Sequence, residues 1–165
     1  MRILVISDTH ITKPNKNFFS QLDKEIEISD CCIHAGDFTA YSVYKSLSKR
    51  IKTYAVAGNM DDDQIIRNLP QKTIFKLSGF TFALAHGAGT PNTIKQYIEY
   101  QFQKNFEKID IFIYGHSHQA INHKLDNKIY FNPGSVGDTI TTPEKTYGII
   151  EIKNGKLNRG IKKIG

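Results

Sequence analysis

The stretch Arg2-Ile3-Leu4-Val5-Ile6-Ser7-Asp8-Thr9-His10 decides how this chain can fold. Its first part is a near-continuous run of apolar residues, which predicts a β-strand over Arg2–Ser7. Asp8 and His10 follow this strand directly, so they would lie at its carboxyl end. Because α/β sheets bind ligands at the carboxyl ends of their strands, the stretch predicts a functional group there.

The remainder of the first half alternates between strand and helix patterns. The predicted strands are Arg2–Ser7, Cys31–Ala35 and Thr53–Ala57, and the predicted helices are Asn15–Ile28 (after Pro14), Ser42–Ile51 and Asp62–Leu69. Strands that alternate with helices indicate βαβ units and a parallel sheet.

The second half has the pattern of hairpins. Three pairs of strands flank the turn sequences Ser78-Gly79, Asp126-Asn127 and Asn154-Gly155: Thr73–Leu77 with Phe80–Ala85, Ile121–Leu125 with Lys128–Asn132, and Tyr147–Lys153 with Lys156–Ile161. A helix over Asn92–Phe106 and a strand over Ile109–Tyr114 lie between the first two pairs. We therefore expect a parallel first half joined to an antiparallel second half. Two sheets packed face to face with helices outside would bury both halves.

The length and composition indicate one compact globular domain over residues 1–165. Apolar residues make up 39% of the chain and charged residues 23%, which is ordinary for a folded domain. No stretch approaches the ~20 apolar residues of a membrane helix, and the amino terminus resembles a first strand more than a signal peptide. We therefore expect no membrane association and a cytoplasmic location. The adjacent Cys31 and Cys32 are interpreted as small residues of a buried strand.

The net charge of +6 favours anionic partners. The lysines are dispersed along the chain, so we do not expect a dedicated nucleic-acid surface. A mild attraction for phosphate-bearing substrates is the inference that this charge supports. Association of identical copies remains open.

Polar residues that could bind metals follow five of the predicted strands. They are Asp8, His10, Asp37, Asn59, His86, His116 and His118. Taken singly, each has a simpler interpretation as a capping turn, a turn dipeptide or a structural histidine. Their joint occurrence at strand ends favours a metal centre, because independent turns have no reason to fall there.

The types of these residues indicate the metal chemistry. Mixed carboxylate and imidazole ligands suit Mn, Fe or Zn better than Ca. A carboxylate can bridge two ions ~3.5–4 Å apart, and such a pair can clamp an attacking hydroxide and a phosphoryl oxygen. The pattern therefore predicts a two-metal hydrolytic site.

The order of these motifs resembles that of the calcineurin-like metallophosphoesterase superfamily. They are Asp-x-His, Gly-Asp, Gly-Asn-x-Asp, His and Gly-His-x-His. The short chain and Asn132-Pro133-Gly134-Ser135 resemble its small prokaryotic YfcE-like phosphodiesterase family, over Asp8 to about Asp138. The resemblance implies a four-layer α/β/β/α sandwich of two mixed sheets flanked by helices. It also implies two metal sites, one made by Asp8, His10, Asp37 and His118 and the other by Asp37, Asn59, His86 and His116.

The resemblance further implies that Asp37 bridges the two ions. Manganese is the implied activating ion, with Ni, Zn, Fe and Co as alternatives. The implied reaction is hydrolysis of a small phosphodiester or nucleotide-like substrate. Asn59 and Asp61 are the expected catalytic residues of the Gly-Asn-x-Asp motif.

Met60 departs from the pattern of the superfamily. Many members carry a histidine at this position that is thought to protonate the leaving group, and cysteine is common there in this branch. Methionine has no transferable proton. We therefore expect the chain to favour esters with good leaving groups, such as aryl phosphodiesters.

Two rival functions are open at this point. The superfamily includes a retromer subunit that became a scaffold, but all seven ligand positions are intact here. Nucleases and protein phosphatases of the superfamily are generally larger, with added capping regions.

Several further residues have structural interpretations. We expect His34 to pack beside the site, His123 to lie on the surface, and Tyr97 and Tyr100 to serve packing or the surface. Ser135 or nearby backbone amides could contact phosphate.

Overall fold

The computed structural model describes residues 1–13, 19–137 and 144–164 and contains two five-stranded sheets. The strands are β1 Arg2–Ile6, β2 Cys31–His34, β3 Thr53–Ala55, β4 Lys72–Leu77, β5 Phe80–Ala85, β6 Ile111–Ile113, β7 Ile121–Leu125, β8 Lys128–Asn132, β9 Thr146–Lys153 and β10 Lys156–Lys163. The helices are α1 Asp23–Ile28, α2 Tyr41–Ser48, α3 Asp63–Asn68 and α4 Ile94–Gln101, with 3₁₀ turns at Ser20–Leu22 and Gln103–Lys108.

The first sheet has β1 at its centre, in the order β10-β9-β1-β2-β3. β1, β2 and β3 are parallel, as their alternation with helices predicts. β9 and β10 form the predicted antiparallel hairpin, and β9 pairs with the other edge of β1. The last hairpin of the chain therefore completes the sheet that the first strand begins.

The second sheet has the order β4-β5-β6-β8-β7. The hairpins β4-β5 and β7-β8 are antiparallel, as predicted, but β5, β6 and β8 run parallel. The expectation of an antiparallel second half is therefore wrong for the pairings of β6, whereas the expectation of two mixed sheets is confirmed. The burial of the strands gives the reason: β8 is buried along most of its length and takes the inner place, while the mostly exposed β7 takes the edge.

Three apolar clusters separate four layers. Ile3 and Val5 of β1 face the second sheet, where Phe82 and Phe131 meet them. The alternate β1 residues Leu4 and Ile6 face a second cluster that includes residues of α1, α2 and α3. α4 packs on the outside of the second sheet through a third cluster. This arrangement confirms the α/β/β/α sandwich, and it follows from the two-residue period of a strand whose faces are both apolar.

The boundaries differ from the predictions in a few places. The helix expected over Asn92–Phe106 begins at Ile94, ends at Gln101 and is followed by a 3₁₀ turn. Asp62 precedes α3 and caps it, accepting a hydrogen bond from the Ile65 amide at 2.9 Å. Residues 14–18, where the first helix was expected to start, and Asp138 lie outside the described residues.

The two cysteines are buried on opposite sides of β2. Cys31 packs between the sheets and Cys32 packs under the helices of the first sheet. Both are free thiols, as expected for small residues of a buried strand. Among the described residues, no helix combines the length and the apolar character that a membrane span requires.

Substitution of Gly148 by alanine should destabilise the sheet interface. A Cβ at Gly148 on β9 would lie 2.3 Å from Phe131 Cε1 and 3.3 Å from Val5 Cβ, so the two sheets would have to separate or repack. We expect G148A to lower the free energy of unfolding by about 1–3 kcal/mol. The measurement is urea denaturation, with the midpoint compared at constant m-value.

Gly160 on the adjacent strand β10 provides the matched control. A Cβ at Gly160 would meet no atom within 4 Å, and this residue pairs with Ile149 beside Gly148. G160A should change the free energy of unfolding by less than about 0.5 kcal/mol. Equal effects of the two substitutions would contradict the close contact between the sheets at Gly148.

Candidate metal centre

All seven predicted ligand residues lie at one edge of the sandwich. Asp8 and His10 follow β1, Asp37 follows β2, and Asn59 follows β3. His86 follows β5, while His116 and His118 follow β6 of the other sheet. The carboxyl ends of three strands from the first sheet and two from the second therefore meet at this edge.

One group of side chains contains Asp8, His10 and His118. The Nε2 atoms of the two histidines are 3.1 Å apart, and Asp8 Oδ1 lies 3.3 Å from His118 Nε2. Asp8 Oδ1 is 3.8 Å from His10 Nε2. A carboxylate oxygen and two imidazole nitrogens therefore converge on one point.

A second group contains Asp37, Asn59, His86 and His116. Asn59 Oδ1 lies 3.0 Å from His86 Nε2 and 3.0 Å from His116 Nδ1. Asp37 Oδ2 lies 3.2 Å from His86 Nε2. The same Asp37 oxygen lies 3.8 Å from His10 Nε2 in the first group. Asp37 is therefore placed between the two groups, as a bridging carboxylate would be.

The spacing of these atoms fits transition-metal ligation. Donor atoms bound to one ion at about 2.0–2.2 Å lie roughly 3–3.4 Å from one another in tetrahedral or octahedral arrangements. Five of the donor pairs above fall in the range 3.0–3.3 Å. The mixed oxygen and nitrogen donors suit Mn, Fe, Co, Ni or Zn.

The tautomer of His86 favours ligation through Nε2. Its Nδ1 lies 2.7 Å from the Ala35 carbonyl oxygen, which can only accept, so Nδ1 carries the proton. A neutral imidazole then presents the lone pair of Nε2 to the centre. A second hydrogen bond of this kind is common among metal-binding histidines.

The electrostatics of the centre favour positive charge. Burial disfavours a charged His86, but the hydrogen bond to Asp37 and the charges of Asp8 and Asp37 outweigh it and raise the pKa of His86. Burial alone would raise the pKa of Asp37. The interactions with His86 and with the Met60 amide have the larger, opposite effect, so the pKa of Asp37 is lowered. The same carboxylates that favour a protonated imidazole would favour a metal cation.

Five of the ligand residues have left-handed backbone conformations. The φ angles are 55° at Asp8, 50° at His10, 59° at Asp37, 66° at His116 and 55° at His118. Such angles are uncommon outside glycine and cost of order 1–3 kcal/mol each. Hydrogen bonds between the loops offset part of this cost, including Asp8 N to Gly36 O at 3.0 Å and His10 N to Asp37 O at 3.1 Å.

Asp61 holds the loops of the first sheet together. Its carboxylate accepts hydrogen bonds from the amides of Thr39 and Gly58 at 2.7 Å and from the amide of Asp37 at 3.2 Å. Burial outweighs these hydrogen bonds and raises its pKa. Gly58 is required at its position because a Cβ there would lie 2.1 Å from Asp37 Oδ1.

Met60 contributes to the centre through its backbone. Its amide donates to Asp37 Oδ1 at 2.8 Å, while its side chain is 57% exposed. The residue at this position therefore orients Asp37 and presents its side chain to solvent beside the centre.

His34 packs beside the centre, as expected. It is fully buried, and its ring is stacked on Phe38 with the centroids 3.4 Å apart. Its Nδ1 accepts from the Gly36 amide, so Nε2 carries the proton and donates to Thr9 Oγ1 at 2.6 Å. Burial and the nearby His86 lower the pKa of His34, in keeping with a neutral ring that supports the loops.

The Asn132-Pro133-Gly134-Ser135 turn hydrogen-bonds the backbone of the loops that carry the candidate ligands. The Asn132 side chain donates to the Gly115 carbonyl at 2.8 Å and accepts from the Gly134 amide at 2.9 Å. The buried Ser135 hydroxyl donates to the Asp8 carbonyl at 2.9 Å. The Ser135 hydroxyl is thus directed at the loop after β1, and contact of phosphate with the backbone amides of this turn stays a prediction. Sequence reasoning missed the role of Asn132, for which a turn-forming motif is the only signal.

The family model of the calcineurin-like phosphoesterase superfamily domain matches residues 1–155. The chain belongs to this superfamily. A probable metallophosphoesterase of Mycoplasma genitalium is 33% identical to it over 138 residues, covering 82% of this chain and 77% of the relative. A phosphodiesterase of Methanocaldococcus jannaschii is 25% identical over 151 residues, covering 81% and 83%.

A solved structure of Entamoeba histolytica Vps29 in complex with zinc has the same fold. It superposes with a TM-score of 0.72 over the whole of both chains, at 19% identity. This likeness establishes the fold of the superfamily in the present chain.

Divalent metal ions should stabilise the chain through this centre. At a free Mn²⁺ concentration one hundred times the Kd, we expect each bound ion to raise the free energy of unfolding by about 2.7 kcal/mol. The gain should be larger at pH 7.5 than at pH 5.5, because the imidazole ligands must lose their protons and the pKa of His86 is raised. Thermal unfolding with and without Mn²⁺ at both pH values measures it.

His118 and His123 form a matched pair of substitutions for this measurement. His118 belongs to the first ligand group, whereas His123 lies exposed on β7, away from the strand ends. H118A should lose the part of the stabilisation that comes from the ion at the first ligand group, and H123A should retain all of it. Equal stabilisation of both variants would show that the ion binds elsewhere.

Proposed function

We propose that the chain is a metal-dependent phosphodiesterase that hydrolyses a small phosphodiester. The observation that carries the proposal is the convergence of seven ligand side chains, with Asp37 Oδ2 facing both groups. The names of the relatives, a probable metallophosphoesterase and a phosphodiesterase, agree with it. We further propose that residues 1–165 act as a single domain.

Two divalent ions would be held by these residues. Asp8, His10, Asp37 and His118 would hold one ion, and Asp37, Asn59, His86 and His116 the other. Bound there, the ions would supply Lewis acidity toward a phosphoryl oxygen and toward water. Manganese is our first candidate for the metal.

The chain's own residues would keep the ligands in place. Asp61 accepts three backbone hydrogen bonds, so we assign it to positioning the Asp37 and Gly58 loops instead of to the catalytic role expected from the sequence. Asn59 directs its amide oxygen at two imidazoles, which supports a role as a ligand. Preorganised ligands of this kind save the cost of ordering the loops when substrate binds.

The centre has no side chain at position 60 that could donate a proton to the leaving group. Met60 has no proton to give, and its side chain is exposed beside Asp37. The nearby His34 is buried with both ring nitrogens engaged, so it is not a substitute. This supports a preference for esters whose leaving groups depart without protonation.

A scaffold is the second candidate function. The observation in its favour is the close fold similarity to Vps29, a vacuolar protein sorting protein by its name. Because a Vps29 structure contains zinc, metal binding alone does not separate the two functions, and turnover has to decide between them.

Hydrolysis of bis(p-nitrophenyl) phosphate distinguishes the two functions. We expect Mn²⁺-dependent turnover by the wild type and, because Asp37 faces both ligand groups, a loss of at least about a hundredfold in D37N. H123A should be as active as the wild type. A chain with neither Mn²⁺-dependent turnover nor stabilisation by Mn²⁺ would favour the scaffold.

Substitution of Met60 by histidine should relax the dependence on the leaving group. General acid catalysis is typically worth 10²–10⁴-fold, so M60H should accelerate cleavage of alkyl phosphodiesters by roughly tenfold or more. Aryl esters, which need little protonation, should change far less. The measurement is kcat/KM across a series of leaving groups with increasing pKa.

M60L is the matched control, because it keeps an apolar side chain without a proton. It should retain the steep dependence of the wild type on leaving-group pKa. If the wild type already cleaves alkyl esters as fast as aryl esters, the proposed deficiency at Met60 is wrong.

A further inference from the structure

A cleft of about 390 Å³ opens directly from one side of the metal centre. Asn59 and His86, two residues of the second ligand group, form part of its lining. The cleft also takes lining residues from α3 and α4. A phosphodiester held at the centre would therefore have room on this side for one of its ester groups.

The lining combines apolar side chains with amide side chains and, His86 apart, carries no group that is charged near neutral pH. Two large side chains line it, Ile66 from α3, which is 50% exposed, and Tyr97 from α4, which is 39% exposed. The other lining residues are mostly small: Ala57, Gly58, Ala85, Gly87 and Ala88. Among the described residues that line the cleft, none is Lys, Arg, Asp or Glu. Gln71 and Gln101 supply amide groups.

This combination selects a class of ligand. Small residues leave room for a flat group, an aromatic ring provides a stacking surface, and amides can hydrogen-bond its edge. The absence of cationic side chains disfavours a second phosphate or a polyphosphate, and the absence of carboxylates disfavours a cationic group.

We propose that this cleft binds the planar base or aryl ring of a nucleotide-like phosphodiester, with Tyr97 as the stacking residue. The proposal rests on the proposed function, because it assumes that the phosphate is held at the metal centre. It assigns Tyr97, which the sequence places only among packing or surface residues, to substrate specificity.

Tyr100 offers a matched comparison on the same helix. It is 67% exposed and lines a different groove, formed with Lys72, Thr73 and Ile74, that includes none of the seven ligand residues. Removal of either tyrosine ring leaves an alanine in α4, which helices favour. A difference between the two variants therefore reports on the cleft and not on the helix.

The test is calorimetric titration of the Mn²⁺-loaded protein with AMP and with ribose 5-phosphate. Both probes carry the same phosphate on the same sugar, and only AMP has a base. Because base–aromatic stacking is worth about 1–3 kcal/mol, AMP should bind roughly tenfold more tightly than ribose 5-phosphate. The ratio of the two Kd values should approach one in Y97A and should persist in Y97F and Y100A.

Three outcomes would overturn the proposal: equal affinity of the wild type for both probes, no binding of either probe, or a ratio that Y97A leaves unchanged. Circular dichroism of Y97A checks that the variant folds. If it does not, Y97L replaces it, because leucine keeps an apolar side chain in the helix but removes the ring, so the ratio should again approach one. If the protein hydrolyses phosphodiesters but binds AMP no more tightly than ribose 5-phosphate, base binding in the cleft is wrong and the proposed function stands. A preference for AMP without turnover would support the cleft and contradict the proposed function.

Discussion

The burial of β1 on both faces is the constraint on which the rest of the structure depends. Ile3 and Val5 pack against the second sheet, while Leu4 and Ile6 pack against the helices of the first. A strand with this pattern must be central, with neighbours on both edges and a layer on each face. β2 and β9 occupy its edges, and the loop after it is consequently surrounded by the ends of several other strands.

That position explains why strained residues can be maintained at the metal centre. Asp8 and His10 are in left-handed conformations, yet their amides are paired with the loop after β2. Their cost is met by the packing of the two sheets beneath them, which leaves the loops few alternatives. The carboxylates and imidazoles are thus brought within metal-binding distance before any ligand arrives.

At this edge, the candidate ligands and the residues that hold the loops in place are different side chains. Ligands come from both sheets, whereas the residues that orient them, such as Asp61 and Asn132, bind the backbone of the loops. The exposed side chains of Met60 and Tyr97 lie beside the candidate ligands, and only the backbone of Met60 takes part in orienting them. Under the proposed function, these two side chains are where leaving-group preference and substrate choice could vary without loss of the candidate ligands.

The sequence by itself determined the strands, the three hairpin turns and the identity of the seven candidate ligand residues. These features depend on local periodicity and on residue type, and both can be read directly from the sequence. Tertiary structure alone decided that β8 lies inside the second sheet and β7 at its edge. It also assigned Asp61 and Asn132 to positioning and brought Tyr97 of α4 to the same cleft as Ile66 of α3. Those outcomes depend on which distant surfaces bury one another, and no local pattern contains that information.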